Sequence, residues 1–165
     1  MKARRGDLSG PVLAILVTLI LLAIGAVIIA YFTLLAGPTP TPVLVVKDQP
    51  IAYKSGSDAI VEVVVANIGT ANVTLKGGTT GSRTTLTILS PTALADALGT
   101  KKIANLTVSA IAIAPGSSVT LTFTFGGGWD EFAPYRSASA RLVLIDTAGN
   151  TIGQFEVSIR IVGGG

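Results

Sequence analysis

Val12–Ala36 reads VLAILVTLILLAIGAVIIAYFTLLA, a run of 25 residues without a charge, broken by the polar side chains of Thr18, Tyr31 and Thr33. As a helix rising 1.5 Å per residue it spans about 37 Å, more than the roughly 30 Å of a hydrocarbon core. Its circumference is apolar all round, so no face suits water. Lys2, Arg4 and Arg5 precede the run and no basic residue follows before Lys47. The flanking charge therefore predicts a cytoplasmic N-terminus and an exported remainder. A secretory signal has a shorter apolar region, about 7–15 residues, and ends at a small-residue cleavage site. This run instead enters Gly37-Pro38-Thr39-Pro40-Thr41-Pro42, so the helix is expected to stay attached.

The rest of the composition narrows the chemistry. The mean hydropathy is +0.67 and charged residues make up 13% of the 165, which fits one membrane segment joined to one ordinary domain. There is no Cys and no His. Disulfides, thiolate metal sites and the usual neutral-pH general base are thus excluded, and no constellation of carboxylates and Lys replaces them. The chain is read as a non-enzyme without cofactor or metal. Its net charge of +3 comes from Lys2, Arg4 and Arg5; from Asp7 onward nine basic residues face nine acidic ones. A formally neutral remainder offers no basic stripe for phosphates, so no nucleic-acid partner is expected.

Gly37, Pro38, Pro40 and Pro42 are read as a hinge, because Gly can end a helix and alternating Pro favours polyproline II. Beyond it the hydrophobic period becomes two. Val119, Leu121, Phe123 and Phe125 alternate with Ser118, Thr120, Thr122 and Thr124, and Phe155, Val157, Ile159 and Ile161 alternate with Glu156, Ser158 and Arg160. Both are half-buried strand patterns. Further strands are predicted at Val43–Lys47, Ala59–Asn67, Val73–Lys76, Thr84–Leu89, Ile103–Ile113 and Ala138–Ile145. A short helix over Thr92–Leu98 is predicted between Ser90 as cap, Pro91 in the first turn and Gly99 as stop. The expected class is α+β: a long N-terminal hydrophobic α-helix, then an all-β immunoglobulin-like sandwich.

Lys2-Ala3-Arg4-Arg5-Gly6, followed by Asp7-Leu8-Ser9-Gly10-Pro11 and the apolar run, resembles the class III leader of archaeal type IV pilins and archaellins. The resemblance covers roughly the first 36 residues. It implies cleavage between Gly6 and Asp7 by a prepilin peptidase, with Arg4 and Arg5 in the recognition segment. The divisions are then 1–6 leader, 7–36 helix, 37–42 hinge and 43–165 head. It implies storage in the cell membrane, then extraction by an assembly ATPase and platform protein into an extracellular homopolymer. Pro11 stands fifth after the cut, where bacterial relatives usually have Glu. The implied filament-core helix surface includes Leu13, Ala14, Leu16, Val17, Ile20, Ala23, Gly25, Ala26, Ile29 and Ala30; the small residues among them permit close helix approach. Ala59–Gly69 resembles adhesion-type sandwich modules, in which a Val-rich strand runs into an Asn-x-Gly turn. The alternative is an anchored, non-polymerising module of surface-layer-binding or archaellum-stator type.

In the head, Asn72-Val73-Thr74 and Asn105-Leu106-Thr107 match the N-x-[ST] acceptor pattern, making Asn72 and Asn105 candidate glycosylation sites with surface glycans. Gly126–Tyr135 holds Trp129, Phe132 and Tyr135, residue types enriched at interface centres. They are candidates for a head contact; the competing reading folds this loop over the end of the sandwich. Asp130 with Glu131, and Asp146 with Asn150, lack the oxygen spacing of a Ca²⁺ loop and are assigned to turn chemistry.

Overall fold

In a computed structural model, residues 10–35, 37 and 40–163 are described. The chain divides into two units, residues 1–39 and 40–165.

The first unit contains α1, Gly10–Leu35, 26 residues. Its Thr18 hydroxyl donates to the Ala14 carbonyl at 2.8 Å. A hydroxyl returned to the carbonyl one turn back lets a polar residue sit in an apolar span without an unmet partner. From Pro11 to Phe32 α1 is long and apolar enough to cross a membrane or to act as a signal sequence, and none of that segment is buried. Pro11 lies in the first turn, where a missing N–H breaks no helical bond.

The second unit is mostly β. Its elements are β1 (Leu44–Val46), β2 (Ile51–Ser55), β3 (Asp58–Asn67), β4 (Val73–Lys76), β5 (Thr85–Ser90), α2 (Thr92–Leu98), β6 (Ile103–Asn105), β7 (Ala110–Ile113), β8 (Ser118–Phe125), α3 (Trp129–Phe132), β9 (Ser137–Ile145) and β10 (Thr151–Ile161). A 3₁₀ turn, Gly99–Lys102, links α2 to β6. β3 organises the sheet. β8 pairs one of its edges antiparallel, Ala59 opposite Phe125 through Ala66 opposite Ser118. β1 and β2 lie end to end along the other edge, Leu44 opposite Asn67 and Ile51 opposite Glu62. Between them the chain takes two more residues than β3, and the break ends at Pro50, which has no N–H for a ladder.

β2 then pairs with β10 in parallel, Arg160 opposite Ile51 and Ile161 opposite Ala52. From β10 the sheet continues through β9 and β5 to β6. Its two ends meet: Leu106 bridges Phe123, and the Thr107 N–H donates to the Thr122 carbonyl at 3.0 Å. β4 and β7 form a separate two-stranded sheet, joined to the first by a Leu75–Asp146 bridge.

The period of two explains the core. On β3, Ala59, Val61, Val63, Val65 and Asn67 are buried while the intervening residues are half-exposed. The four apolar ones meet Leu121, Phe123 and Phe125 of β8, Leu142 and Leu144 of β9, and Val157, Ile159 and Ile161 of β10 in one buried cluster. Each fully buried Val, Leu, Ile or Phe stabilises by roughly 1.5–3 kcal/mol.

Several local expectations are corrected. β2 is a strand beyond those predicted, because Ile51-Ala52-Tyr53-Lys54-Ser55 is too short for its alternation to stand out. Ile103–Ile113 is two strands, not one, since Leu106 turns into the core with 1% exposure. Gly77 makes this turn possible: a Cβ there would collide with the Val108 carbonyl. Ser90 is not a cap; it is the last residue of β5, and α2 starts on the Pro91 carbonyl, which accepts from Leu94 and Ala95 N–H. Gly99 does close α2, at φ 54°, with its N–H donating to the Ala95 and Asp96 carbonyls.

Candidate functional site

Of the processing residues, Arg4, Arg5, Gly6 and Asp7 lie outside the described residues, as does Pro38 of the hinge. Leu13, Ala14, Leu16, Val17, Ile20, Ala23, Ala26, Ile29 and Ala30 are all exposed along α1, and Gly25 is half-covered. Thr18, Leu21, Leu22, Gly25, Ala26 and Ile29 line one shallow groove, set at the spacing of a single helical face. A surface of this kind needs lipid or protein around it.

The second half of the expected hinge belongs to the head. Thr41 N–H donates to the Thr70 hydroxyl at 3.2 Å, and the Thr41 carbonyl accepts from Thr70 N–H at 2.9 Å. Ile68 N–H donates to the Val43 carbonyl at 2.8 Å. Asn67 completes the clamp from a fully buried position. Its Oδ1 accepts from Gly69 N–H at 3.0 Å and from Val43 N–H at 3.4 Å. Its Nδ2 donates to the Ala71 carbonyl at 2.7 Å and to the Ile113 carbonyl at 3.1 Å. All four hydrogen-bonding positions of the amide are used, which removes the penalty of burying it. Gly69 is required for packing: any Cβ would strike the backbone of Thr41 and Val43. The Asn-x-Gly pattern was visible in sequence, but its partner segment was not.

The aromatic loop follows the reading that folds it over the end of the head, and the head-contact candidates Trp129 and Phe132 are corrected. Trp129 is 5% exposed and Phe132 is fully buried, so neither can serve as a head contact. Phe132 stacks at a tilt on Phe125, ring centroids 5.4 Å apart. The loop is pinned over the end of the barrel-like sheet by Gly127 N–H to Asp58 Oδ1 at 2.7 Å and Trp129 N–H to the Ser57 carbonyl at 3.2 Å. Tyr135 is half-buried.

The two acceptor asparagines differ. Asn72 is exposed just ahead of β4, whereas Asn105 is half-buried in β6. Asn105 lines a shallow recess with Gly78, Thr79, Leu106, Thr107 and Thr124, and the Thr107 hydroxyl donates to the Thr122 carbonyl at 2.8 Å.

Charged groups serve the surface of the sheet. Arg141 and Glu156, opposite each other on β9 and β10, form an exposed ion pair at 3.4 Å. Tyr53 OH donates to Glu62 Oε1 at 2.8 Å. That bond, with slight desolvation and the carboxylate charge, holds the phenol above its ordinary value of 10.0. Asp146 accepts from Asn150 N–H at 2.8 Å and from Asn150 Nδ2 at 3.2 Å. The Asn150 backbone bond is the main reason its carboxyl lies below the ordinary 3.8. This is the turn chemistry expected of Asp146 and Asn150. Among the described residues no cluster of three or more Asp or Glu is placed to hold a metal ion.

No family model and no curated protein sequence matches the chain. Solved structures that align with it include a FixG-related protein from Vibrio parahaemolyticus, at 11% identity and a TM-score of 0.33, covering 76% of this chain and 96% of that one. The CsuC-CsuE chaperone and tip adhesion subunit complex from the Csu pili of Acinetobacter baumannii aligns at 10% identity and 0.34, covering 74% of this chain and 57% of that one. A beta-glucosidase from Listeria innocua, in complex with glucose, aligns at 15% and 0.32, with 77% and 16% covered. Scores of this size assign neither fold family nor function.

Proposed function

We propose that this chain is a structural subunit of an extracellular, archaeal type IV pilus-like filament, polymerising through α1 with an immunoglobulin-like head as the outer surface. The observation that carries the reading is α1 itself: 26 helical residues whose described side chains are exposed and uncharged, attached to a unit with its own complete core. Such a helix needs a dry environment, and a bilayer and a bundle of like helices supply it equally. Moving between them exchanges one apolar surrounding for another, so packing decides the balance. A subunit is thus stored in the cell membrane and drawn into a fibre after removal of residues 1–6, by a prepilin peptidase and an assembly ATPase and platform. The mostly antiparallel order β8-β3-β2-β10-β9-β5-β6, wrapped around one core with β1 beside β3, supports the immunoglobulin-like description of the head. The head carries its glycans at the exposed Asn72 and at Asn105, and mediates adhesion or surface attachment.

The test is to shear cells, pellet the extracellular fibres and sequence the subunit N-terminus. A fibre protein beginning at Asp7 supports the proposal. Recovery of the whole chain in membranes, small in detergent and absent from the sheared fraction, supports the anchored surface-layer or stator-like module instead.

A further inference from the structure

The chain enters the head at Thr41 and leaves β10 beside β2, and these two terminal segments run in parallel. Leu44 lies opposite Asn67 of β3, while Ala52, the partner of Ile161, lies opposite Val61. Six residues of β3, about 20 Å, separate the two points along the strand direction. Entry and exit are therefore at different ends of the same pair of strands. Arg160 N–H donates to the Pro50 carbonyl at 2.8 Å, and Val162 N–H donates to the Ala52 carbonyl at 2.8 Å. The entry end is separately held by the Asn67–Thr70 turn, through hydrogen bonds to Thr41 and Val43.

We propose that the head is a load-bearing module, in which tension along the tether is resisted in shear by the entry clamp and by the parallel β2–β10 pairing. When strands are pulled along their length, the hydrogen bonds between them must break together. When they are pulled apart sideways, the bonds break one at a time, so the barrier met at each step is smaller. The clamp extends the shear path to Thr41 and transfers load to β3. That strand is flanked on both edges and carries five buried inward residues, so it is the part of the sheet least able to peel. Without the clamp, β1, with three residues, is the first element to meet the load. This property concerns the head under tension, and it holds whether the tether ends in a fibre or in a membrane.

The chain has no Cys, so paired substitutions at exposed positions define a pulling axis in the full chain held in detergent. Pro40→Cys with Val162→Cys loads the terminal strands along their length. Arg136→Cys with Val162→Cys loads the adjoining ends of β9 and β10, where Ile161 N–H meets the Arg136 carbonyl, and peels them. Single-molecule force measurement is expected to give a rupture force at least about twofold higher on the first axis, since forced unfolding follows the barrier on the loaded path. Thr70→Val, which removes the hydroxyl bond to Thr41, is expected to lower the force on the first axis and leave the second unchanged. Equal forces on the two axes, or a Thr70→Val loss shared by both, would overturn the proposal. The comparison of axes needs no clamp variant, so a Thr70 variant that fails to fold does not remove the test. Absence of fibres would sink the filament reading and leave this one standing.

Discussion

The side-chain amide of Asn67 donates from Nδ2 to the carbonyl of Ile113 at 3.1 Å, joining the end of β3 to the end of β7 across 46 residues. The same amide holds Gly69, Ala71 and Val43. One buried side chain therefore ties together the main sheet, the small sheet and the segment that enters the head. Replacing it leaves one buried carbonyl and three part-buried backbone groups without their partner at once, and that is more harmful than the loss of one exposed bond.

Asn67→Ala is expected to destabilise the head by about 2–4 kcal/mol, because two carbonyls and two N–H groups lose their partner. Urea unfolding followed by tryptophan fluorescence measures it, since Trp129 is the single Trp. A change within about 0.5 kcal/mol, the usual surface range, would contradict the role given to Asn67.

Gly69→Ala tests the close approach of the entry segment. A methyl group there meets backbone rather than a yielding side chain, so Thr41–Val43 must move, at a cost of about 1–3 kcal/mol. Hydrogen exchange is expected to rise at the amides of Val43, Ile68 and Thr70 while those of β9 stay protected. Uniform loss of protection would show that the clamp is not a separate unit.

Trp129→Ala and Phe132→Ala are each expected to lower stability by about 3–5 kcal/mol, the range for large aromatic truncations in a core. If either residue were a subunit contact, its loss would weaken association and spare the thermal midpoint of the isolated subunit. The two measurements made together separate the cases.

Two surface groups give pH signatures of opposite sign. The Asp146 carboxyl is lowered in the fold, so its contribution is present above the ordinary value of 3.8 and is lost as pH falls through the lower folded value. Asp146→Asn is expected to flatten that acid limb of the thermal midpoint. The Tyr53 phenol is raised, so its contribution is present below 10.0 and is lost as pH rises through the higher folded value. Glu62→Gln is expected to return the ultraviolet titration of Tyr53 toward 10.0; an unmoved titration would mean the bond to Glu62 is not its cause.

Leu21→Arg places a charge near the middle of α1. In a bilayer this costs about 2.5–3.5 kcal/mol for insertion, and in a helix bundle the charge has no partner. The membrane pool and, on the filament reading proposed above, the fibre fraction are expected to fall, as read by immunoblot of cell fractions. An undiminished fibre yield would mean that α1 lines a wet surface.

Much of the fold is legible in the sequence because two periodicities carry it. A charge-free run of 25 residues leaves no water-facing solution, and alternation in β8 and β10 separates inward from outward residues before any neighbour is known. Ile51–Ser55 as a strand and Trp129–Phe132 as a helical turn were not legible. Each is too short to display a period, and their structure comes from partners distant in sequence: β3 and β10 for one, Phe125 and the Ser57–Asp58 turn for the other.

By itself, then, the sequence determined that one apolar helix precedes a β-rich unit, that Cys and His chemistry is excluded, and that an Asn-x-Gly turn follows a Val-rich strand. These are properties of composition and short-range spacing. Only the tertiary structure decided that this turn grips Thr41–Val43, that β2 pairs in parallel with β10, and that Trp129 is core. Each of those depends on which distant segments share one core, and local spacing does not encode that choice.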